Sequence, residues 1–470
     1  MMKLRFFLAL WAAKISIVVL EITRHNGTQL PGRIAFKICP YFLKYVEKPD
    51  TILAITGTNG KTTVSNMIID ILEKKGKRIL NNRAGSNIKD GIATAFIRKS
   101  NLMGHIHKCD IAVLEVDERS STRIYPFIEP NYIVITNLFR DSIMRNAHPE
   151  YIANILTKSI PPKSKLILNA DDLISCEVAP SNNRVYFGLE LGDNSNQPTA
   201  NPIKCENLLN DVRICPRCNG KLNYTYRLYH HIGRATCENC GFSSPKPKYL
   251  ASDIDIKNKT MIISEQNKNP VSCNLIADSY FNIYNILTTI ATLRELNLTY
   301  EEIIPEVEQL SIVSSRLSRE QIGEIGIVMQ MSKDKNALAC SRNFDYIRSS
   351  PGKKELLLMM NCLDVAKNWS ENPCWMYDSD FEFLNNDDIS HLVCAGARAK
   401  DYKLRLLLAG IPEEKISVEE DEYKSINLLH LTPGEDVYFL YGVDGMPLAF
   451  SVKEKLRKIL LEREGTKHDS

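Results

Sequence analysis

The residues most able to do chemistry are Gly57-Thr58-Asn59-Gly60-Lys61-Thr62-Thr63. They follow the apolar run Thr51-Ile52-Leu53-Ala54-Ile55 and precede the helix-like Val64-Ser65-Asn66-Met67-Ile68-Ile69-Asp70-Ile71-Leu72. A buried strand, a glycine loop and a helix start are the context a phosphate-binding loop needs. Glycines let the backbone wrap a phosphate, and a helix N-terminus aims amide N–H groups at the anion. Lys61 is suited to neutralise phosphoryl oxygens, and the Thr62 hydroxyl to hold Mg²⁺. The spacer between Gly57 and Gly60-Lys61 is shorter than in a Walker loop. An ordinary strand-to-helix turn gives no packing reason for Lys-Thr-Thr at that place.

The second chemical pattern is Cys215-Pro216-Arg217-Cys218 and Cys237-Glu238-Asn239-Cys240, two C-x2-C pairs with Lys221–Tyr226 between them reading as a strand. Four thiolates at this spacing predict a closed, tetrahedral and therefore structural Zn²⁺ site. An iron centre or redox pair is the alternative. His230, His231 and Arg234 are modestly basic, and the nearby aromatics read as ribbon packing rather than a nucleic-acid surface.

These groups must be positioned by alternating strands and helices. Ile111–Asp117, Tyr132–Asn137 and Lys165–Asp172 are apolar runs ending in polar residues. In a parallel α/β sheet that edge binds ligands. Glu115 is thus a candidate Mg²⁺ or phosphate-side carboxylate, with a helix cap or turn acid as the alternative. Strand-like runs at Glu324–Met329, Glu355–Met360 and Val437–Tyr441, with a helical run at Ala399–Ala409, predict a second, smaller α/β domain. At 470 residues two or three domains are expected. The net charge of +3 gives no push towards nucleic acid, and nine scattered cysteines beside the four paired ones suit a reducing compartment. The apolar run Leu4–Leu20 is broken by Lys14; it reads as a helix packed on the body or lying on a membrane surface, with no cleavable signal evident.

Taken together, these segments resemble the Mur ligase family and, within it, the MurT branch of synthetase subunits. The matching stretches are Gly57–Thr63, Asn81–Asn87, Glu115–Glu118, Thr136–Asp141, Asn169–Asp172, the four-cysteine ribbon, Phe281–Asn285, Trp375–Glu382 and Gly396–Ala399. The ribbon inserted in a Mur-type ATPase domain is the most discriminating feature. The resemblance implies an N-terminal helical segment over 1–45, a central ATP-binding domain over 46–310 with a ribbon insertion about 205–250, and a C-terminal domain over 311–470. It implies ATP and Mg²⁺ as the working pair, with Lys61 and Glu115 catalytic and Gly57, Thr58, Asn59, Gly60, Lys61, Thr62 and Thr63 on the phosphates. Thr62 and Glu115 would hold Mg²⁺, Asn282 would lie on the adenine side, and Arg316 would reach the nucleotide from the next domain. The implied reaction activates the α-carboxylate of D-glutamate in the lipid II stem as an acyl phosphate, which ammonia from a GatD-type glutaminase partner converts to the amide. The implied location is the cytoplasm, at the inner face of the membrane where lipid II resides.

The chain departs from the family pattern at Lys333-Asp334-Lys335-Asn336-Ala337-Leu338 and at Trp369–Trp375. The family aspartate that completes the partner's glutaminase triad falls on Asn372, which cannot stabilise an imidazolium as a carboxylate does; Asp364 and Glu371 are the neighbouring acids. Two other readings stay open: a Mur-type carboxylate–amine ligase with another substrate or impaired coupling to the glutaminase, and a non-enzymatic zinc-ribbon binding protein.

Overall fold

The computed structural model describes the chain except residues 1, 26, 107, 142–147, 192–204, 277–278, 311–316, 333–335, 361–362, 365–368, 371–372 and 469–470. Arg316, Glu371, Asn372 and the departure at 333–335 lie outside the described residues, as does the side chain of Asp364. Two units separate: residues 1–139, 149–206 and 210–312, and residues 140–148, 207–209 and 313–470.

The first unit is built on nine strands, in chain order β1 Ile52–Thr56, β2 Ile79–Asn81, β3 Ile111–Glu115, β4 Tyr132–Ile135, β5 Lys165–Asn169 and β6 Arg184–Leu189, then, past the hairpin of β7 Leu222–Tyr229 and β8 Ile232–Cys237, β9 Tyr249–Asp255, β10 Thr260–Glu265 and β11 Val271–Asn274. The sheet order is β11-β10-β9-β6-β5-β4-β1-β3-β2. From β2 to β9 every pairing is parallel; β10 and β11 extend the sheet antiparallel. All five residues of β1 are buried, as a strand covered on both faces requires. Helix Lys61–Lys74 leaves β1 and buries Val64, Met67, Ile68, Ile71 and Leu72, the spacing of one helical face.

The amino-terminal run folds as helix Met2–Ile22. Phe6, Ala9, Leu10, Ala13 and Ile17 enter the main core with Ala35 and Phe42. Lys14, the charge that breaks the apolar run, donates to the carbonyls of Ile97 (2.9 Å) and Ser100 (2.6 Å). It thereby satisfies the end of helix Lys89–Lys99. Burial lowers its ammonium pKa from the ordinary value.

The second unit carries six strands: β12 Leu317–Ile322, β13 Ile325–Met331 and β14 Lys354–Met359, then, after the short ladder of β15 Leu363–Asp364 and β16 Trp369–Ser370, β17 Ile389–Ala395, β18 Ile416–Glu419 and β19 Asp436–Tyr441. Their order is β12-β13-β19-β14-β17-β18, parallel apart from β12. Separate apolar clusters cover its two faces. The Trp375–Glu382 stretch runs through two short 3-10 helices, Pro373–Asp378 and Phe381–Leu384; Asp380 accepts from the Leu208 N–H (2.7 Å) and Asn207 Nδ2 (2.6 Å), and Asp378 pairs with Arg140 at 3.1 Å.

Candidate nucleotide and metal sites

The loop after β1 emerges at the carboxyl edge of the sheet, beside the ends of β3 and β4. Gly57 (φ 126°) and Gly60 (φ 86°) take left-handed conformations, which glycine adopts without strain. A Cβ on Gly60 would stand 2.4 Å from Asn285 Oδ1. The loop is held from β4: the Thr58 N–H donates to Asn137 O (2.8 Å), the Asn59 N–H to Asn137 Oδ1 (3.0 Å), and Thr136 Oγ1 to Asn59 O (2.7 Å). The Val64 N–H donates to Gly60 O, so the first-turn amides at 61–63 lack intrahelical acceptors.

Lys61 Nζ pairs with Glu118 Oε1 at 2.7 Å and also donates to Gly57 O. Thr62 Oγ1 donates to Glu115 Oε2 (2.8 Å), and Asn87 Nδ2 to Glu115 Oε1 (3.0 Å). Asn82 fixes the backbone of Glu115 on both sides, accepting from its N–H and donating to its carbonyl at 2.9 Å each. The structure thus brings Gly57 to Thr63 and Glu115 together. It adds Glu118, Asn82, Asn87, Thr136, Asn137 and Asn285, which the sequence reading quoted within matching stretches without assigning them a task. Asn282 lies in the first turn of helix Tyr280–Glu295, part-exposed, whereas Asn285 one turn on abuts Gly60.

The residues fit a nucleotide phosphate and Mg²⁺. The buried Nδ2 atoms of Asn59 and Asn285 have no hydrogen-bond partner among the described residues, and a buried amide donor left so invites an acceptor. Thr62 and Glu115 supply only oxygen, the donor a hard cation prefers.

The third strand end behaves differently. Asp172 caps helix Leu173–Cys176 and accepts from the Leu138 N–H. Asp171 accepts from the Leu189 N–H (2.8 Å) and the Tyr284 hydroxyl (2.8 Å). Burial pushes the Asp171 carboxyl above its ordinary range, although these donors and Arg234 oppose the shift. These acids are mortar between β5, β6 and their neighbours, not phosphate ligands.

The four cysteines converge as two matching turns. Cys215 N–H bonds Gly220 O and Cys237 N–H bonds Phe242 O, with Asn219 and Gly241 left-handed at the corners. Cys215 and Cys240 Sγ lie 3.6 Å apart, Cys218 and Cys237 Sγ 3.5 Å, and all four within 4.8 Å of one another. Tetrahedral Zn–S bonds of about 2.3 Å set sulfurs about 3.8 Å apart. His230 and His231 are buried, and His231 Nε2 sits 3.2 Å from Asp172. Both are thus buried within the first unit, where His231 ties the ribbon hairpin to Asp172 at the end of β5.

The chain's sequence matches the Mur ligase middle domain over residues 55–208 and the MurT ligase C-terminal domain over 334–443. The lipid II isoglutaminyl synthase (glutamine-hydrolyzing) subunit MurT of Staphylococcus aureus (strain COL) is 32% identical over 425 residues, 90% of this chain and 92% of that protein. The chain belongs to the MurT family of Mur ligases. The MurT subunit of Streptococcus pneumoniae is 29% identical, over 88% of this chain and 90% of its own. The fold is that of a pseudomurein peptide ligase type C from Methanothermus fervidus, with TM-score 0.61, 24% identity, and 88% of this chain and 80% of that one covered. MurF ligase from Thermotoga maritima in complex with ADP has TM-score 0.54 at 15% identity, covering 88% and 81%. As a MurT-family chain it is an enzyme, an ATP-dependent ligase of the Mur type.

Proposed function

We propose that this chain amidates the α-carboxylate of D-glutamate in the lipid II stem, through an acyl phosphate attacked by ammonia from a GatD-type glutaminase. The observation that carries the reading is the near full-length likeness to a glutamine-hydrolyzing lipid II isoglutaminyl synthase subunit. The loop geometry supports the ATP half. Lys61 meets the charge that gathers on the transferring phosphoryl oxygens, and the amides at 61–63 add fixed dipoles there. Thr62 and Glu115 would hold Mg²⁺, which neutralises phosphate charge when bound. Asn82 and Asn87 keep Glu115 in place, so little reorganisation is needed at the moment of reaction. The four thiolates would hold Zn²⁺ as a structural centre, with no open position for chemistry.

The helix Met2–Ile22 supports a peripheral position at the cytoplasmic membrane face. No described helix is long and apolar enough to cross a membrane. Yet Leu4, Leu8, Trp11, Ile15, Val18 and Ile22 form one exposed stripe opposite the buried face. An apolar stripe left exposed on the face opposite the core suits a second apolar medium. Asn372 favours one variation on the main reading, weakened coupling to the glutaminase. The deciding experiment is co-purification with a glutaminase partner, followed by ATP turnover on lipid II with glutamine and with ammonia. Lack of amide product from both nitrogen sources would refute the proposal.

A further inference from the structure

The ribbon hairpin turns against the segment that holds the phosphate loop. Strands β7 and β8 meet through the two residues His230 and His231, between the register partners Tyr229 and Ile232. Such a turn forms most easily with Asn-Gly. Here His230 takes a left-handed φ of 47°, where glycine would be unstrained, and both histidines are buried. The chain keeps two rings where the turn itself asks for none. Both rings meet Phe139, with centroids 5.7 Å away for His230 and 4.8 Å for His231. Tyr229 stacks on the same phenyl ring at 6.0 Å, its plane inclined by 27°.

Phe139 is in turn bound to the loop. Its N–H donates to Thr58 Oγ1 (2.9 Å), and that hydroxyl donates back to the Phe139 carbonyl (3.3 Å). One residue earlier, the Leu138 N–H donates to Asp172 Oδ2 (2.8 Å), while Asp172 Oδ1 is 3.2 Å from His231 Nε2. A single carboxylate thus ties the ribbon turn and the segment Asn137–Phe139 to one point. Thr58, Asn137, Phe139, Asp172 and His231 are all buried, and linked bonds in a low-dielectric interior reinforce one another. Tyr229 also meets Phe281 and Tyr284 of helix Tyr280–Glu295, at 6.3 and 6.4 Å. That helix brings Asn285 against Gly60. Tyr229 therefore bridges the two elements that flank the phosphate loop, and its ring is only part-buried.

We infer that Tyr229, seated on the ribbon turn that His231 fixes, is a positioning residue for the nucleotide. Through Phe139 it sets Thr58 and the loop that follows, so the ribbon serves the phosphate site as well as its own fold. The inference rests on Gly57–Thr63 being the nucleotide loop. The role needs no contact with the reacting atoms. A loop already held in its bound shape loses less freedom when the anion arrives, which strengthens binding. Removing the Tyr229 ring should therefore weaken nucleotide binding while every group assigned to the phosphates stays in the chain.

The test measures binding of a fluorescent ATP analogue with Mg²⁺ to the full chain, with the ribbon metal assayed in each variant. Tyr229→Ala should weaken binding about fivefold or more, the scale of lost aromatic pairs, and retain the ribbon metal. Tyr229→Phe keeps the ring and should bind like the unmodified chain. Amide hydrogen exchange should quicken in the peptide spanning residues 57–63 of Tyr229→Ala, a change that a role confined to the ribbon would not produce. If Tyr229→Ala loses metal, Tyr229→Leu, which fills similar space without a ring, takes its place. Unchanged affinity in a metal-retaining variant, or an equally large loss in Tyr229→Phe, overturns the inference and leaves the assignment of the loop intact. An unmodified chain that does not bind the analogue would overturn both.

Discussion

The hydroxyl of Thr62 donates a 2.8 Å hydrogen bond to Glu115, 53 residues further along the chain. One residue opens the helix after β1 and the other closes β3, and parallel pairing of those strands sets them side by side. If the pair is the Mg²⁺ site, Glu115→Gln keeps the hydrogen bond and removes the charge. Turnover should fall at least about a hundredfold, the scale of one lost electrostatic contact in a transition state. Thermal stability should barely move. Steady-state ATP hydrolysis over a Mg²⁺ series, beside a melting curve, checks both halves.

Lys61 is tied to Glu118, whose side chain is 4% exposed. Lys61→Ala should therefore do two things: abolish turnover and, by leaving a buried carboxylate unpaired, destabilise by a few kcal/mol, up to about 3–5. The double variant Lys61→Ala/Glu118→Gln should regain most of the stability and none of the activity. Denaturant melts of the four proteins of the cycle separate the effects; equal stability of Lys61→Ala and wild type would show that the pair is energetically idle.

The ribbon should carry one thiolate-bound Zn²⁺, and Cys218→Ser should lower the melting temperature, because metal-binding energy is folding energy for so small a module. Its core is only a few residues, among them Leu173, Leu222, Ala235 and Phe242. Metal analysis and calorimetry together report the outcome. A variant lacking that zinc but melting normally would make the centre dispensable.

At Asn372 the expected signature is poor amidation with glutamine and good amidation with added ammonia. Only the glutaminase half needs an acid to steady its histidine. Asn372→Asp should raise the glutamine rate more than the ammonia rate. Equal rates in the unmodified complex would mean that a neighbour such as Asp364 or Glu371 fills the role.

The exposed stripe of the first helix predicts binding to vesicles containing anionic lipid, read by a blue shift of tryptophan emission from Trp11. Leu8→Glu with Ile15→Glu should abolish sedimentation with vesicles and leave folding intact, since both positions point away from the core. Unchanged sedimentation would remove the membrane from the account.

Local chemistry was legible in the chain itself. A glycine loop between an apolar strand and a helix start, and paired cysteines on tight turns, are short-range patterns whose constraints lie within a few residues. The alternation of strand and helix was legible for the same reason. What the fold alone decided is which distant residues share a site. Glu118 rather than solvent meets Lys61, and Asn285, one helical turn beyond Asn282, closes on Gly60. Asp171 and Asp172 look in sequence like the acids at the end of β3, yet turn inward to cement β6, a short helix and the ribbon. The buried Glu355–His391 pair joins register partners of adjacent strands and carries no spacing signal, because parallel strands adjoin through long crossovers and their partners are separated by whole elements. Sequence spacing records contacts along a helix or a turn; contacts between strands are recorded only in the order of the sheet.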